Sequence, residues 1–124
     1  ADRQVLYRRV EARVDSMVRD GWLAEARKLY YTRRGRTANQ AIGYRQWFGA
    51  RALMRGAAKT RMARHEIKAV TNEIKKATRN LVKKQITWFR QDSRIVWFDI
   101  SEGGLLRRMV AAIQNRTSSC THET

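Results

Sequence analysis

Leu6, Val10, Val14 and Met17 recur at spacings of four, four and three. That spacing lays one apolar stripe along a helix over residues 2–20. Asp2 stands where a side chain can cap its start, and Gly21 fits its end. Over 22–32, Leu23, Ala26, Leu29 and Tyr30 fall on one side of a second, shorter helix, so 2–32 reads as a helical hairpin. Residues 33–39, Arg33-Arg34-Gly35-Arg36-Thr37-Ala38-Asn39, read as a basic loop. Asn39 is placed to cap a helix over 40–54. Gly43 lies inside that helix, where glycine costs about 0.5–1 kcal/mol relative to alanine, so the position points to a close backbone approach. Gly56 marks a break.

The longest pattern runs over 59–91. Ala63, Ile67, Val70, Ile74, Ala77, Leu81 and Trp88 form its apolar stripe, and Lys68, Lys75, Lys76, Arg79, Lys83, Lys84 and Arg90 occupy the other faces. Then the period changes. Ile95-Val96-Trp97-Phe98-Asp99-Ile100 is a continuous run of β-formers and predicts a buried strand over 95–100. Gly103-Gly104 precede a last amphipathic helix over 104–115, with Leu105, Leu106, Met109, Val110 and Ile113 on its stripe. Residues 116–124 lack periodicity and read as a disordered tail.

A single buried strand needs partners for its backbone N–H and C=O groups. No second strand pattern exists in the chain. The strand is therefore expected to complete a sheet supplied by sequence outside these 124 residues, with the last helix packing back as in an α/β unit. Pairing with a second copy and a buried loop are the other readings. The expected fold is mainly α, with that one strand.

Charge narrows the partners. Twenty-seven Lys and Arg face eleven Asp and Glu, a net charge of +16. Such a chain repels itself unless a polyanion offsets the charge, which favours nucleic acid first and an anionic membrane surface second. No stretch approaches the roughly 20 apolar residues of a spanning helix. The one cysteine, Cys120, excludes an internal disulfide.

Arg9 and Arg13 lie four apart on one helix face and could grip a diphosphate, since arginine offers a planar charged fork; a solvated basic face is the plainer reading. Thr78 to Arg90 mixes cations, amides and aromatics. Between Glu73 and Asp92 there is no acid, so Arg79, Lys83 and Lys84 are expected on phosphates. Phe89 is free to stack on a base, whereas Trp88 continues the apolar stripe and is expected in the core. Gln40 to Arg45 could bring a helix N-terminus to an anion. His65, and Cys120 with His122, do not make a four-ligand zinc site. The chain has no Gly-rich phosphate loop and no nucleophile motif.

In order, Asp2-Arg3, Leu6 to Met17, Gly21, Glu25, Leu29, Ala41-Ile42-Gly43-Tyr44-Arg45, Thr78-Arg79, Lys83 to Arg90 and Trp97 resemble the tRNA dimethylallyltransferase family over roughly residues 2–99. Members of that family move a dimethylallyl group from its diphosphate to the exocyclic amine of the adenine 3′ of certain anticodons, with the base flipped into a channel. The resemblance implies that Arg13 contacts the diphosphate, with Arg9 a second candidate. It implies tRNA contacts by Thr78, Arg79, Lys83, Lys84 and Gln85, and by the loop from Arg36 to Gln40. The family's phosphate loop, Mg²⁺ and catalytic base belong to an N-terminal P-loop domain not present here. The strand would then complete that domain's parallel sheet, and this portion alone would hold no metal and be inactive. The implied partners are the tRNA anticodon stem-loop, dimethylallyl diphosphate and that domain, in a monomeric enzyme without a membrane. The implied compartment is the cytoplasm, with the mitochondrion as an option.

Three departures stand out. Lys83-Lys84 replaces the usual Lys-Arg, losing a bidentate fork. The stretch from Tyr44 to Thr78 is longer than usual by about one or two helical turns. The tail supplies no zinc finger. The alternative function is a non-catalytic basic helical RNA-binding protein; a third reading, within the family, uses free adenine nucleotides.

Overall fold

The computed structural model describes residues 3–56 and 60–120. Asp2, the expected start of the long helix at Lys59, and residues 121–124 of the expected tail lie outside the described residues. Among the described residues seven helices follow in order: α1 Arg3–Arg19, α2 Trp22–Tyr30, α3 Arg36–Gln40, α4 Tyr44–Gly49, α5 Arg51–Met54, α6 Arg61–Gln91 and α7 Leu105–Cys120.

Helices α1 and α2 form the hairpin read from the sequence. Gly21 turns the chain between them at φ +104°, a conformation that side chains with a Cβ rarely adopt. Thr60 caps the start of α6, its hydroxyl accepting from the Ala63 N–H at 3.1 Å. α1 and α6 lie antiparallel: Asp15 pairs with Lys75 and Glu11 with Arg79, so residue numbers along the two helices run in opposite directions.

The core gathers where α1, α2, α4 and α5 meet the first half of α6. Trp47, Leu53, Met54 and Ile74 are fully buried there, joined by Val14, Trp22, Ala26, Ala63 and Val70. Leu53, Met54, Ile74, Val14 and Val70 each contribute about 1.5–3 kcal/mol through burial. Trp22 meets Tyr44 and Trp47 edge-on, at 6.0 and 6.1 Å between ring centroids.

The helix expected over 40–54 is three short ones. Gly43, at φ +95°, separates α3 from α4, and Ala50, at φ −83° and ψ 69°, separates α4 from α5. A Cβ on Gly43 would stand 2.1 Å from Trp22 Cζ2. Close approach is thus the reason for the glycine, although it sits at a helix start and not inside one. Asn39 caps nothing at 40. It lies within α3 and accepts from Arg34 Nε at 2.7 Å.

The expected strand and the parallel sheet it was to complete are not found. Among the described residues there is no strand, and the fold there is all-α. Residues 95–100 run irregularly and are closed by turns: the Ile95 N–H donates to the Asp92 carbonyl at 3.2 Å, and the Glu102 N–H to the Asp99 carbonyl at 3.3 Å. The physical reason is the absence of a pairing edge, because β-formers make a strand only where another strand takes up their backbone groups. Nor is the run deeply buried: Val96, Trp97 and Ile100 are exposed.

α7 continues through 116–120, where the sequence pattern led to a disordered tail. Thr117 and Ser118 turn their hydroxyls onto carbonyls of their own helix, Ile113 and Gln114 for Thr117 and Gln114 for Ser118. Arg116 donates to the Arg94 carbonyl and ties α7 to the irregular segment.

Candidate functional site

Arg13 sits on α1 one turn after Arg9. The apolar stripe of α1 faces α6, so residues beside that stripe come to the rim of the α1–α6 seam. There a cavity of about 310 Å³ opens, mostly apolar, walled by Val14, Trp22, Ile42, Tyr44 and Leu81, with Arg13 and Thr78 in its lining. The structure thus brings together two residues sixty-five positions apart in sequence. Arg9 does not line that cavity and is exposed.

The Thr78 hydroxyl donates to the Ile74 carbonyl at 2.8 Å, which fixes its rotamer against the helix. Tyr44 makes a contact that helical periodicity does not predict. Its hydroxyl donates to a Glu25 carboxylate oxygen. That hydrogen bond holds the Tyr44 phenol above its usual pKa, with burial and the Glu25 charge acting in the same direction. Trp22 was also missed as a wall of the site. The one signal for Trp22 was Gly43, whose missing Cβ makes room for its ring, while Tyr44 stood within the Ala41–Arg45 stretch that resembles the family.

The cations divide into held and free groups. Arg79 pairs with Glu11 at 2.5 Å and Lys75 with Asp15 at 2.7 Å, all four being partly exposed. Lys83, Lys84 and Gln85 are exposed on α6. Lys83 and Lys84 are neighbours in sequence and so point about 100° apart around the helix. Arg36 and Gln40 are exposed at the two ends of α3. The loop ahead of them is stapled by Arg34, which donates to the carbonyls of Leu29 and Thr32 and lies 4.0 Å from the Phe48 ring centroid. Trp88, expected in the core, is 64 % exposed, and Phe89 beside it is exposed too.

Among the described residues no cluster of three or more His, Cys, Asp or Glu could hold a metal ion. No described helix is long and apolar enough to cross a membrane.

Comparison with known proteins gives these positions a context. A tRNA dimethylallyltransferase of Christiangramia forsetii is 37% identical over 102 residues, covering 82% of this chain and 30% of the relative. One of Flavobacterium psychrophilum is 39% identical over 99 residues, 80% of this chain and 29% of the relative. One of Geobacillus kaustophilus is 34% identical over 117 residues, 91% of this chain and 33% of the relative. The chain therefore spans about a third of the length of the curated relatives it matches. No solved structure matches it. The family described as IPP transferase matches residues 1–92, α1 through α6 with the cavity and both ion pairs included, and the chain belongs to that family.

Proposed function

We propose that this chain is the RNA-side portion of a tRNA dimethylallyltransferase. It would help transfer a dimethylallyl group from its diphosphate to the exocyclic amine of the adenine 3′ of an anticodon. The observation that carries this reading is the cavity shared by α1 and α6. A short branched hydrocarbon suits its apolar walls, and Arg13 supplies a guanidinium for the diphosphate at the rim.

Charge builds on the diphosphate as the carbon–oxygen bond breaks. A positioned guanidinium then stabilises the transition state more than the ground state. Tyr44, fixed by Glu25, and Thr78, fixed by its own helix, keep the walls in place. The Lys83–Gln85 stretch, Arg36 and Gln40 are assigned to phosphates and riboses of the RNA, which position it without reading sequence. Trp88 and Phe89 offer exposed rings for unpaired bases.

The phosphate-binding loop, the base and Mg²⁺ are assigned to the two thirds of the relatives' length that this chain does not cover. Among the described residues no set of side chains fits Mg²⁺. The compartment we propose is the cytoplasm, with the mitochondrion as the second possibility.

The test is a chimera in which residues 1–92 replace the matching region of the Flavobacterium psychrophilum enzyme. It should transfer labelled dimethylallyl to tRNA, while the 124-residue chain alone transfers none. In the chimera, Arg13→Ala should lower kcat by roughly 10²–10³-fold, the loss typical of one preorganised donor, with little change in RNA affinity. Arg13→Lys should recover part of the rate. Loss of RNA affinity with single-turnover chemistry intact would remove Arg13 from the diphosphate.

A further inference from the structure

Along the α1–α6 seam, from the Asp15–Lys75 pair toward the end of α1, the two helices line an open trough of about 440 Å³. Arg19 of α1 and Arg64, Lys68 and Lys75 of α6 line it, together with Asn72 and one acid, Asp15. Lys75 is taken up by Asp15, whereas Arg19, Arg64 and Lys68 are exposed and make no ion pair among the described residues. Four cations line it against one carboxylate, and it shares no lining residue with the Arg13 cavity. Its central residue, Lys68, is about 22 Å along α6 from Lys83.

The trough does not stand alone. At 3.6 residues per turn, Arg64, Lys68, Lys75, Arg79, Lys83 and Arg90 fall within a sector of about 100°, and from Arg64 to Arg90 they run about 39 Å. That is a rail of positive charge down one face of α6, with α1 beside it. Glu11 and Asp15 neutralise only its middle, at Arg79 and Lys75. The two ends are left for a ligand long enough to reach both, which excludes a single small anion as the whole answer.

We propose that the trough lined by Arg19, Arg64 and Lys68 is a second RNA-backbone contact, which tracks phosphates at a distance from the adenine being modified. The inference rests on the RNA reading above and adds a surface to it. A membrane fits less well, because the cations line a concave trough whose apolar members, Val18 and Ile67, are half-buried between the helices and do not project. Contacts of this kind position a nucleic acid and weaken steeply with salt.

The experiment measures binding of a labelled RNA hairpin of anticodon-arm sequence to the 124-residue chain by fluorescence anisotropy across a series of KCl concentrations. The variants are Arg19→Ala/Arg64→Ala/Lys68→Ala and, separately, Lys83→Ala/Lys84→Ala. The triple variant changes exposed side chains only, and its helicity should match the parent by circular dichroism. We expect it to reduce the log–log salt slope by about two to three units, one phosphate per cation. Asp15→Asn removes the trough's acid and should steepen the slope by about one unit, a gain that a misfolded variant would not show. If Lys83→Ala/Lys84→Ala lowers the slope while the triple variant and Asp15→Asn leave it unchanged, the trough is overturned and the RNA reading stands. If the parent chain does not bind the hairpin at all, the RNA reading fails and the trough with it. If the triple variant keeps its RNA slope but loses binding to phosphatidylserine vesicles, the trough faces a membrane and the proposal is overturned.

Discussion

The two halves of α6 carry one continuous apolar stripe but meet different surroundings. In the first half, Ala63, Val70 and Ile74 are buried beneath α1, α2, α4 and α5. In the second, Leu81 is 39% and Trp88 64% exposed, although both continue the same register. α7 does not close that gap: Leu106, Met109, Val110 and Ile113 are exposed as well, and α7 is tied mainly to residues 94–102. Amphipathic spacing therefore says which face of a helix is apolar, and not how far along the helix that face is covered.

The largest effect expected belongs to the packed half. Gly43→Ala would hold a Cβ at φ +95° and 2.1 Å from the Trp22 ring. Left-handed strain and overpacking together should cost about 2–5 kcal/mol, a large share of a small domain's stability. Chemical denaturation should show the loss as a lower midpoint at unchanged slope. A midpoint within error of the parent would mean that Trp22 can move aside, and that the core here is softer than its burial implies.

Ile74→Ala removes a fully buried side chain and should cost about 2–5 kcal/mol, whereas Trp88→Ala in the same chain should stay within about 0.5 kcal/mol. Equal losses would show that Trp88 is covered in solution. Hydrogen exchange sharpens the contrast, since backbone amides over 61–77 should be protected more strongly than those over 82–91.

Much of the packed half was legible in the sequence. The hairpin, its Gly21 turn, the α6 stripe from Ala63 to Ile74 and the special standing of Gly43 all follow from periodicity and glycine chemistry, which are local. Trp22 was not legible, because its burial depends on a glycine twenty-one residues away. The strand expected over 95–100 failed for a related reason. A β-forming run reports propensity, while strand formation needs an edge, and no edge is present among the described residues. At the site, Arg13 and Thr78 were singled out separately, and only the antiparallel pairing of α1 and α6 puts them in one cavity. The absence of acids from 74 to 91 pointed to Arg79, Lys83 and Lys84 as phosphate contacts, but Glu11 comes across from α1 to Arg79.

That pair marks the boundary between the two halves, and its expected effect is smaller. It is partly exposed on both sides, so solvent screening leaves it about 0.2–1 kcal/mol despite its short distance. A double-mutant cycle with Glu11→Gln and Arg79→Gln should return a coupling in that range. A coupling of several kcal/mol would instead make the pair a structural anchor.

The smallest effect lies past the end of α6. Asp99 is held at a pKa of about 2, below its ordinary 3.8, because the Ser101 hydroxyl and then the Ser101 backbone N–H donate to its carboxylate, at 2.6 and 2.9 Å. The sign of the linkage follows from that depression. The charged form is favoured in the fold, so the stabilisation is present above the unfolded value and is lost as pH falls through about 2. Ser101→Ala removes the hydroxyl and leaves the backbone donor. The Asp99 pKa should then rise part of the way toward 3.8, as followed by its carboxyl carbon chemical shift in an NMR titration. Because the group is on the surface, the melting temperature near neutral pH should hardly move. A pKa that stays near 2 in Ser101→Ala would assign the depression to the backbone N–H and other charges. A clear drop in melting temperature would mean that the 99–102 turn supports α7, and that the region after α6 is better ordered than its exposed apolar side chains indicate.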